Sequence, residues 1–207
     1  MIPITRLNEA LTAMGLAIEA EKQSRLLDYL ALLKNWNSTY NLTAIHEPDK
    51  MLTHHLLDSL AVLPHVTADR LLDVGSGAGL PGIPLAIVRP DLAVTLIDAS
   101  HKKCAFMQQA AIELQLGNVT AHHGRVEDLR PDSPFPQIVS RAFSDLSDFV
   151  RLTRHLLADG GELLAMKGLY PNEEIAQLKG ARVKRDVELH IPGLGADRHL
   201  IVLELAA

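Results

Sequence analysis

From Lys22 to Asn35 the leucines Leu26, Leu30 and Leu33 recur at helical spacing with Leu27 beside them, and the pattern predicts an amphipathic helix ended by Asn35 and Asn37. Pro48 suits the first turn of a second helix, with Asp49 favourable near its positive end, and this helix is expected to run to about Leu60. Between the two lies Trp36-Asn37-Ser38-Thr39-Tyr40-Asn41-Leu42-Thr43. At Pro64 the character changes, and short β-rich runs begin to alternate with longer helical ones. That alternation predicts a parallel sheet covered by helices on both faces. Strands are expected over Arg70 to Val74, Ala93 to Asp98, Asn118 to His122, Gln137 to Arg141, Gly160 to Lys167, Arg182 to His190 and His199 to Leu205. Helices are expected over Pro84 to Val88, Lys102 to Leu116, Asp145 to Leu157 and Asn172 to Lys179. Only Ile191 to Arg198 separates the last two strands, too little for a crossover helix, so they should pair antiparallel. The fold class read from this is α/β: a seven-stranded, mostly parallel Rossmann-like sheet with an antiparallel last strand over residues 65–207. A helical extension, residues 1–64, should pack on it.

With 207 residues, 47% of them hydrophobic, the chain can bury a full core as one domain plus an extension. Apolar runs such as Leu80 to Val88 are broken by Pro and Gly and stop well short of the roughly 18 residues a membrane span needs. No signal peptide is visible in Met1-Ile2-Pro3-Ile4-Thr5-Arg6, so a cytoplasmic location and no membrane contact are expected. Cys104 is the single cysteine, which excludes an internal disulfide and a Cys-pair metal site, and beside Phe106 and Met107 its expected role is packing. The pairs His54-His55 and His122-His123 lack the helical spacing that lets two imidazoles share a metal, and no metal is expected. Lys+Arg 20 against Asp+Glu 25 gives −5, without the basic excess typical of nucleic-acid binders. Taken alone, that balance argues mildly against an RNA substrate.

The chemistry concentrates in Leu72-Asp73-Val74-Gly75-Ser76-Gly77-Ala78-Gly79-Leu80-Pro81-Gly82, between the first strand and the first helix after it. Gly75, Gly77 and Gly79 let the backbone approach a ligand closely, though dinucleotide enzymes use a related turn. The acid discriminates. Asp73 would repel a pyrophosphate but attract the ammonium of a methionine moiety, which favours S-adenosylmethionine over NAD. Asp98 ends the second strand, where a ribose hydroxyl pair is commonly held, and Glu127 follows the third, where an adenine edge would lie. The plainer alternatives are a helix cap for Asp73, a turn residue for Asp98 and a solvated charge for Glu127. Their shared place at consecutive strand ends favours the joint reading.

As for the acceptor, the fourth strand carries Val139-Ser140-Arg141-Ala142-Phe143 rather than the Asn/Asp-Pro-Pro-aromatic run of enzymes that act on exocyclic base amines. Carbon methylation of cytosine needs a cysteine nucleophile, and Cys104 lies on a predicted helix. An acceptor with a ready lone pair, such as a ring nitrogen, needs no base. Several further segments stand out: Trp36-Asn37-x-x-Tyr40-Asn41-Leu42-Thr43, His55-x-x-Asp58-Ser59, the loop continued as Leu80-Pro81-Gly82-Ile83-Pro84, Arg125-Val126-Glu127, Ser140-Arg141-Ala142, Lys167-Gly168 and Arg198-His199. Through them nearly the whole chain resembles the small-subunit ribosomal RNA guanine-N7 methyltransferase family, also called glucose-inhibited division protein B. Ala78 stands where many members have Pro, a change that should leave cofactor binding intact.

The resemblance implies a class I methyltransferase fold and transfer from S-adenosylmethionine to N7 of a specific guanine in a conserved loop of 16S ribosomal RNA. It also implies that Gly75, Leu80, Val126, Glu127 and Arg141 touch the cofactor. The partner would be that RNA in a small-subunit particle, with the chain acting as a monomer. Donors should then contact O6 and leave N7 free, with Asn41, Arg141 and Lys167 as candidates. Phosphate contact, a salt bridge and a helix-loop cap are the competing roles for these three. His55, Asp58 and Ser59 fall on one helical face, which docks the extension on the sheet with a secondary role in the site. Arg151, Arg154, Lys179, Arg182, Lys184 and Arg185 are available for phosphates. A small-molecule methyltransferase and a non-catalytic nucleotide-binding module remain alternatives.

Overall fold

In the computed structural model, which describes residues 2–143 and 145–206, β1 (Arg70–Val74) sends Leu71 to one side of the sheet and Leu72 to the other, both fully buried. A strand covered on both faces reads as such a continuous apolar run. The remaining strands are β2 (Ala93–Asp98), β3 (Val119–His123), β4 (Phe135–Ser140), β5 (Leu157–Lys167), β6 (Ala181–Glu188) and β7 (His199–Leu205). They form one seven-stranded sheet in the order β3-β2-β1-β4-β5-β7-β6. Pairing is parallel from β3 to β5, and β7 runs antiparallel to both β5 and β6. The order reverses between β1 and β4, so the crevice where open α/β sheets bind ligands lies at the carboxyl ends of these two strands.

The predicted bounds of β1, β2 and β7 coincide with the observed ones. β5 begins earlier, at Leu157, and β4 spans Phe135 to Ser140, so Arg141 stands just past its strand rather than within it. The helices are α1 (Ile4–Ala13), α2 (Ala20–Tyr40), α3 (Pro48–Met51), α4 (Asp58–Leu60), α5 (Gly82–Val88), α6 (His101–Glu113), α7 (Leu146–Thr153) and α8 (Asn172–Ala176). Two π-helical turns over Leu52–Leu57 join α3 to α4 into the single run predicted from Pro48 to Leu60. α1 has no counterpart in the predicted elements, because only Leu7 and Leu11 carry its buried stripe. α2 continues past both asparagines expected to end it. Asn37 instead turns inward, its Oδ1 accepting from Thr43 N at 2.8 Å and its Nδ2 donating to the Ile45 carbonyl at 3.2 Å. The helix stops at Asn41, whose left-handed φ of 49° ends it.

One core joins α1, α2, the π-helical run, α5 and α6 to one sheet face, and the other packs α7 on the opposite face. Through α2 the leading helices rest on α5 and α6, the helices that follow β1 and β2. Among the described residues no helix is long and apolar enough to cross a membrane.

Candidate active site at the strand ends

Leaving β1, the chain bends back at once: the Gly75 and Ser76 amides donate to the Ile97 carbonyl at 2.9 and 3.2 Å. This bend needs φ of 68° at Gly75 and 82° at Gly79, values that side chains disfavour. A Cβ on Gly75 would also lie 2.7 Å from that of Ala142, and one on Gly79 would lie 2.3 Å from Ile83 Cδ1. Beneath the loop, Asp73 is fully buried, and its Oδ2 accepts from Gly82 N, the first amide of α5, at 2.8 Å. Its Oδ1 has no partner among the described residues. Burial pushes the Asp73 carboxyl up to about 7, because removal from water penalises the charged form. Asp98 holds the loop from the next strand end, accepting from Gly77 N at 2.9 Å on one oxygen and from Ser100 N at 2.8 Å on the other.

The leading helices complete this loop. The buried Tyr29 hydroxyl of α2 donates to the Ala78 carbonyl at 2.7 Å. His55, on the π-helical turns, is buried with Nε2 2.9 Å from Thr43 Oγ1 and Nδ1 unpartnered. Burial, and behind it the charge of Arg141, lower its pKa to about 4, so the ring is neutral near pH 7. Leu42, Thr43, His55, Gly75, Gly77, Leu80, Arg141 and Ala142 are among the walls of a cavity of about 180 Å³.

Arg141 closes one end of it. Its Nη1 donates to Asp58 Oδ2 at 2.9 Å and to the His54 carbonyl at 3.0 Å, while the other Asp58 oxygen accepts from Arg198 Nε at 2.9 Å. The buried Asp58 carboxylate is thus shared by two guanidinium groups, 26% and 22% exposed, and the trio keeps one net positive charge. On its far side Arg141 borders a second cavity of about 640 Å³, walled by Phe143, Lys167, Tyr170 and Glu174 among others. There Lys167 Nζ donates to Glu174 Oε2 at 2.7 Å and to the Phe143 carbonyl at 3.1 Å.

His55, Gly75, Gly77, Leu80 and Arg141 thus line the loop cavity and Arg141 and Lys167 the larger one, while Asp73 and Asp98 hold the loop that carries Gly79 and Asp58 holds Arg141. Three other expected residues lie elsewhere. Asn41 is exposed as the end residue of α2, and its carbonyl accepts from Lys102. Val126 is buried in the core on the α7 side, and Glu127 borders a separate surface cavity with Arg130, Arg151 and His155. Of the surface cations, Arg151, Arg182, Lys184 and Arg185 are paired with Asp148, Glu204 and Glu162. Tyr29, Thr43, Arg198 and Glu174 belong to the arrangement without having been singled out as site residues. Thr43 and Arg198 stood within marked segments, whereas Tyr29 reads as one more apolar position of α2.

Solved structures that superpose on this sheet include methyltransferases. The crystal structure of the O-methyltransferase TomG from Streptomyces achromogenes, in complex with S-adenosylmethionine, superposes with a TM-score of 0.62 at 17% identity over 100% of both chains. A methyltransferase from Thiobacillus denitrificans in complex with S-adenosylhomocysteine gives 0.53 at 17% identity, over 84% of this chain and 98% of that one. At these identities the likeness shows the fold: a class I methyltransferase sheet. Sequence relatives go further. The Ribosomal RNA small subunit methyltransferase G of Nitrosospira multiformis is 52% identical over 100% of this chain and 99% of its own length. That of Laribacter hongkongensis is 54% identical over 96% and 97%. The family model for rRNA small subunit methyltransferase G matches residues 22–201, and with that span and these identities the chain belongs to this family.

Proposed function

We propose that the protein transfers the methyl group of S-adenosylmethionine to N7 of a guanine in 16S ribosomal RNA, with residues 1–64 as a helical extension completing the site of a domain over residues 65–207. The observation that carries this reading is Arg141, which borders both the cavity under the glycine loop and the larger cavity beside Lys167. Donor and acceptor pockets must share a wall where the methyl passes between them.

The residues fit the cofactor. Asp73 Oδ1 is a buried acceptor lacking a donor, which an ammonium would supply, and Asp98 retains lone pairs for ribose hydroxyls. At about 180 Å³ the loop cavity is smaller than a typical ligand site of roughly 300–1,000 Å³, so it suits one end of the molecule. When bound, the cofactor supplies a methyl on a sulfonium, which the N7 lone pair displaces in line while sulfur takes the bonding electrons. No proton has to leave, so no residue is needed as a base. That agrees with His55, whose pKa lowered to about 4 makes it a weak base and whose Nε2 lies against Thr43 Oγ1. The task of the protein is orientation. Asp58 fixes Arg141 from one side and Arg198 fixes Asp58 from the other, while Lys167 Nζ is held where a base O6 can accept from it.

The reading takes the chain to act as a monomer in the cytoplasm on a small-subunit particle. An unstacked loop guanine fits a chain without basic excess, since base contacts rather than a long phosphate track then carry recognition. The test is to incubate the pure protein with labelled S-adenosylmethionine and subunits lacking the modification, then map the label. A single 7-methylguanosine in 16S RNA is expected. Label on another atom or molecule, or none, overturns the reading.

A further inference from the structure

The wall of the larger cavity opposite Arg141 pairs one obligate donor with one obligate acceptor. Lys167 Nζ and Glu174 Oε2 are 2.7 Å apart, and their side chains are only 9% and 24% exposed. An ammonium can only donate and a carboxylate can only accept. Two of the three Nζ hydrogens point to Glu174 and the Phe143 carbonyl, which leaves one. Glu174 Oε2 also accepts from Leu146 N at 2.8 Å, so among the described residues the bonds of Glu174 fall on that oxygen and Oε1 is open to a ligand.

We propose that Lys167 and Glu174 together read the Watson–Crick edge of the acceptor base, Lys167 donating to O6 and Glu174 accepting from N1–H and N2–H, and that Glu174 is the residue that selects guanine. The inference rests on the guanine acceptor reading above. Adenine presents the reverse polarity, an amine where Lys167 needs an acceptor and a lone pair where Glu174 needs a donor. N7 lies beside O6 on the edge away from N1 and N2, and the proposed pose turns that edge towards Arg141, which borders the donor cavity. Methylation at N7 makes the ring cationic and N1–H more acidic. The carboxylate bond strengthens towards the transition state, so its loss falls on kcat. Tyr170, 38% exposed on the same wall and edge-on to His199 at 5.4 Å, presents a ring face for the base.

The experiment uses small subunits assembled on 16S RNA that carries guanosine or inosine at the target; inosine lacks only the N2 amine. For the wild type, kcat/KM is expected to fall about tenfold or more from guanosine to inosine, the effect of one hydrogen bond to a charged group. In Glu174→Ala the two substrates should agree within about twofold. Glu174→Gln, which keeps an acceptor for Leu146 N, should fall between them. A structural role would lower both substrates equally and preserve the wild-type ratio, and that result overturns the proposal. So does a wild type indifferent to inosine. A wild type that leaves guanosine unmethylated defeats the acceptor reading itself and takes this inference with it.

Discussion

Asp58→Asn keeps the side-chain volume and removes the charge that two arginines share. The carboxylate, 3% exposed, accepts from Arg141 Nη1 and Arg198 Nε, each at 2.9 Å. Asparagine offers one acceptor oxygen and turns its amide donors towards the other guanidinium. One charge-assisted bond, worth about 1.5–3 kcal/mol, is lost and the second weakens by about 1 kcal/mol. The sum, about 2.5–4 kcal/mol, overlaps the lower end of the roughly 3–5 kcal/mol found for breaking a buried pair. For a chain of this length each kcal/mol moves Tm by about 2–4 °C, so thermal unfolding followed by circular dichroism should fall by roughly 10 °C. A domain of ordinary stability, about 5–15 kcal/mol, then remains largely folded at 25 °C. Under those conditions methyl transfer should drop at least about tenfold, because Arg141 loses its fixed place between the two cavities. A variant whose Tm moves by less than about 2 °C would refute the energetic argument. Full turnover with a lowered Tm would refute the positioning argument.

In ligand-free protein Asp73 contributes stability that is lost as pH rises from about 4 through about 7. Burial holds the Asp73 carboxyl near 7 in the folded protein against 3.8 for an ordinary aspartate, so its stabilisation is complete only at low pH. Urea titrations across that range should show the wild type losing stability relative to Asp73→Asn as pH rises, and a difference that does not change with pH would contradict it. For the same reason cofactor binding near pH 6 should release a proton, seen calorimetrically as a heat that depends on the buffer. His55 acts with the opposite sign. Burial lowers its pKa to about 4, against 6.5 for an ordinary histidine, which gives stability present above about 6.5 and lost as pH falls through about 4, and His55→Gln should remove that acid limb. Tyr29→Phe strands the Ala78 carbonyl and should cost about 1–3 kcal/mol in urea unfolding. Cofactor KM should rise more than kcat falls, and equal changes would place Tyr29 outside the loop's support.

What could be read in the sequence was local in origin. β1, β2 and β7 were legible because strands buried on both faces are unbroken apolar runs bounded by turn residues, and the glycine loop because its tight backbone demands a residue type. α1 was not, since Leu7 and Leu11 are too few to set a period. Asn37 misled because an asparagine near a helix end usually stops it, whereas here its amide meets the backbone of the following loop. Arg198 is the more instructive case. It lies 140 positions from Asp58, and the rule that ligands gather at strand carboxyl ends directs attention to Asp73, Asp98, Arg141 and Lys167. β7 is antiparallel, so its start, not its end, lies at that edge: His199 pairs with Lys167. The residue just before an antiparallel last strand is therefore delivered to the same crevice as the residues just after the parallel ones. Reversal of the final strand, itself legible from the short connection before it, is what joins Arg198 to Asp58 and through it to Arg141.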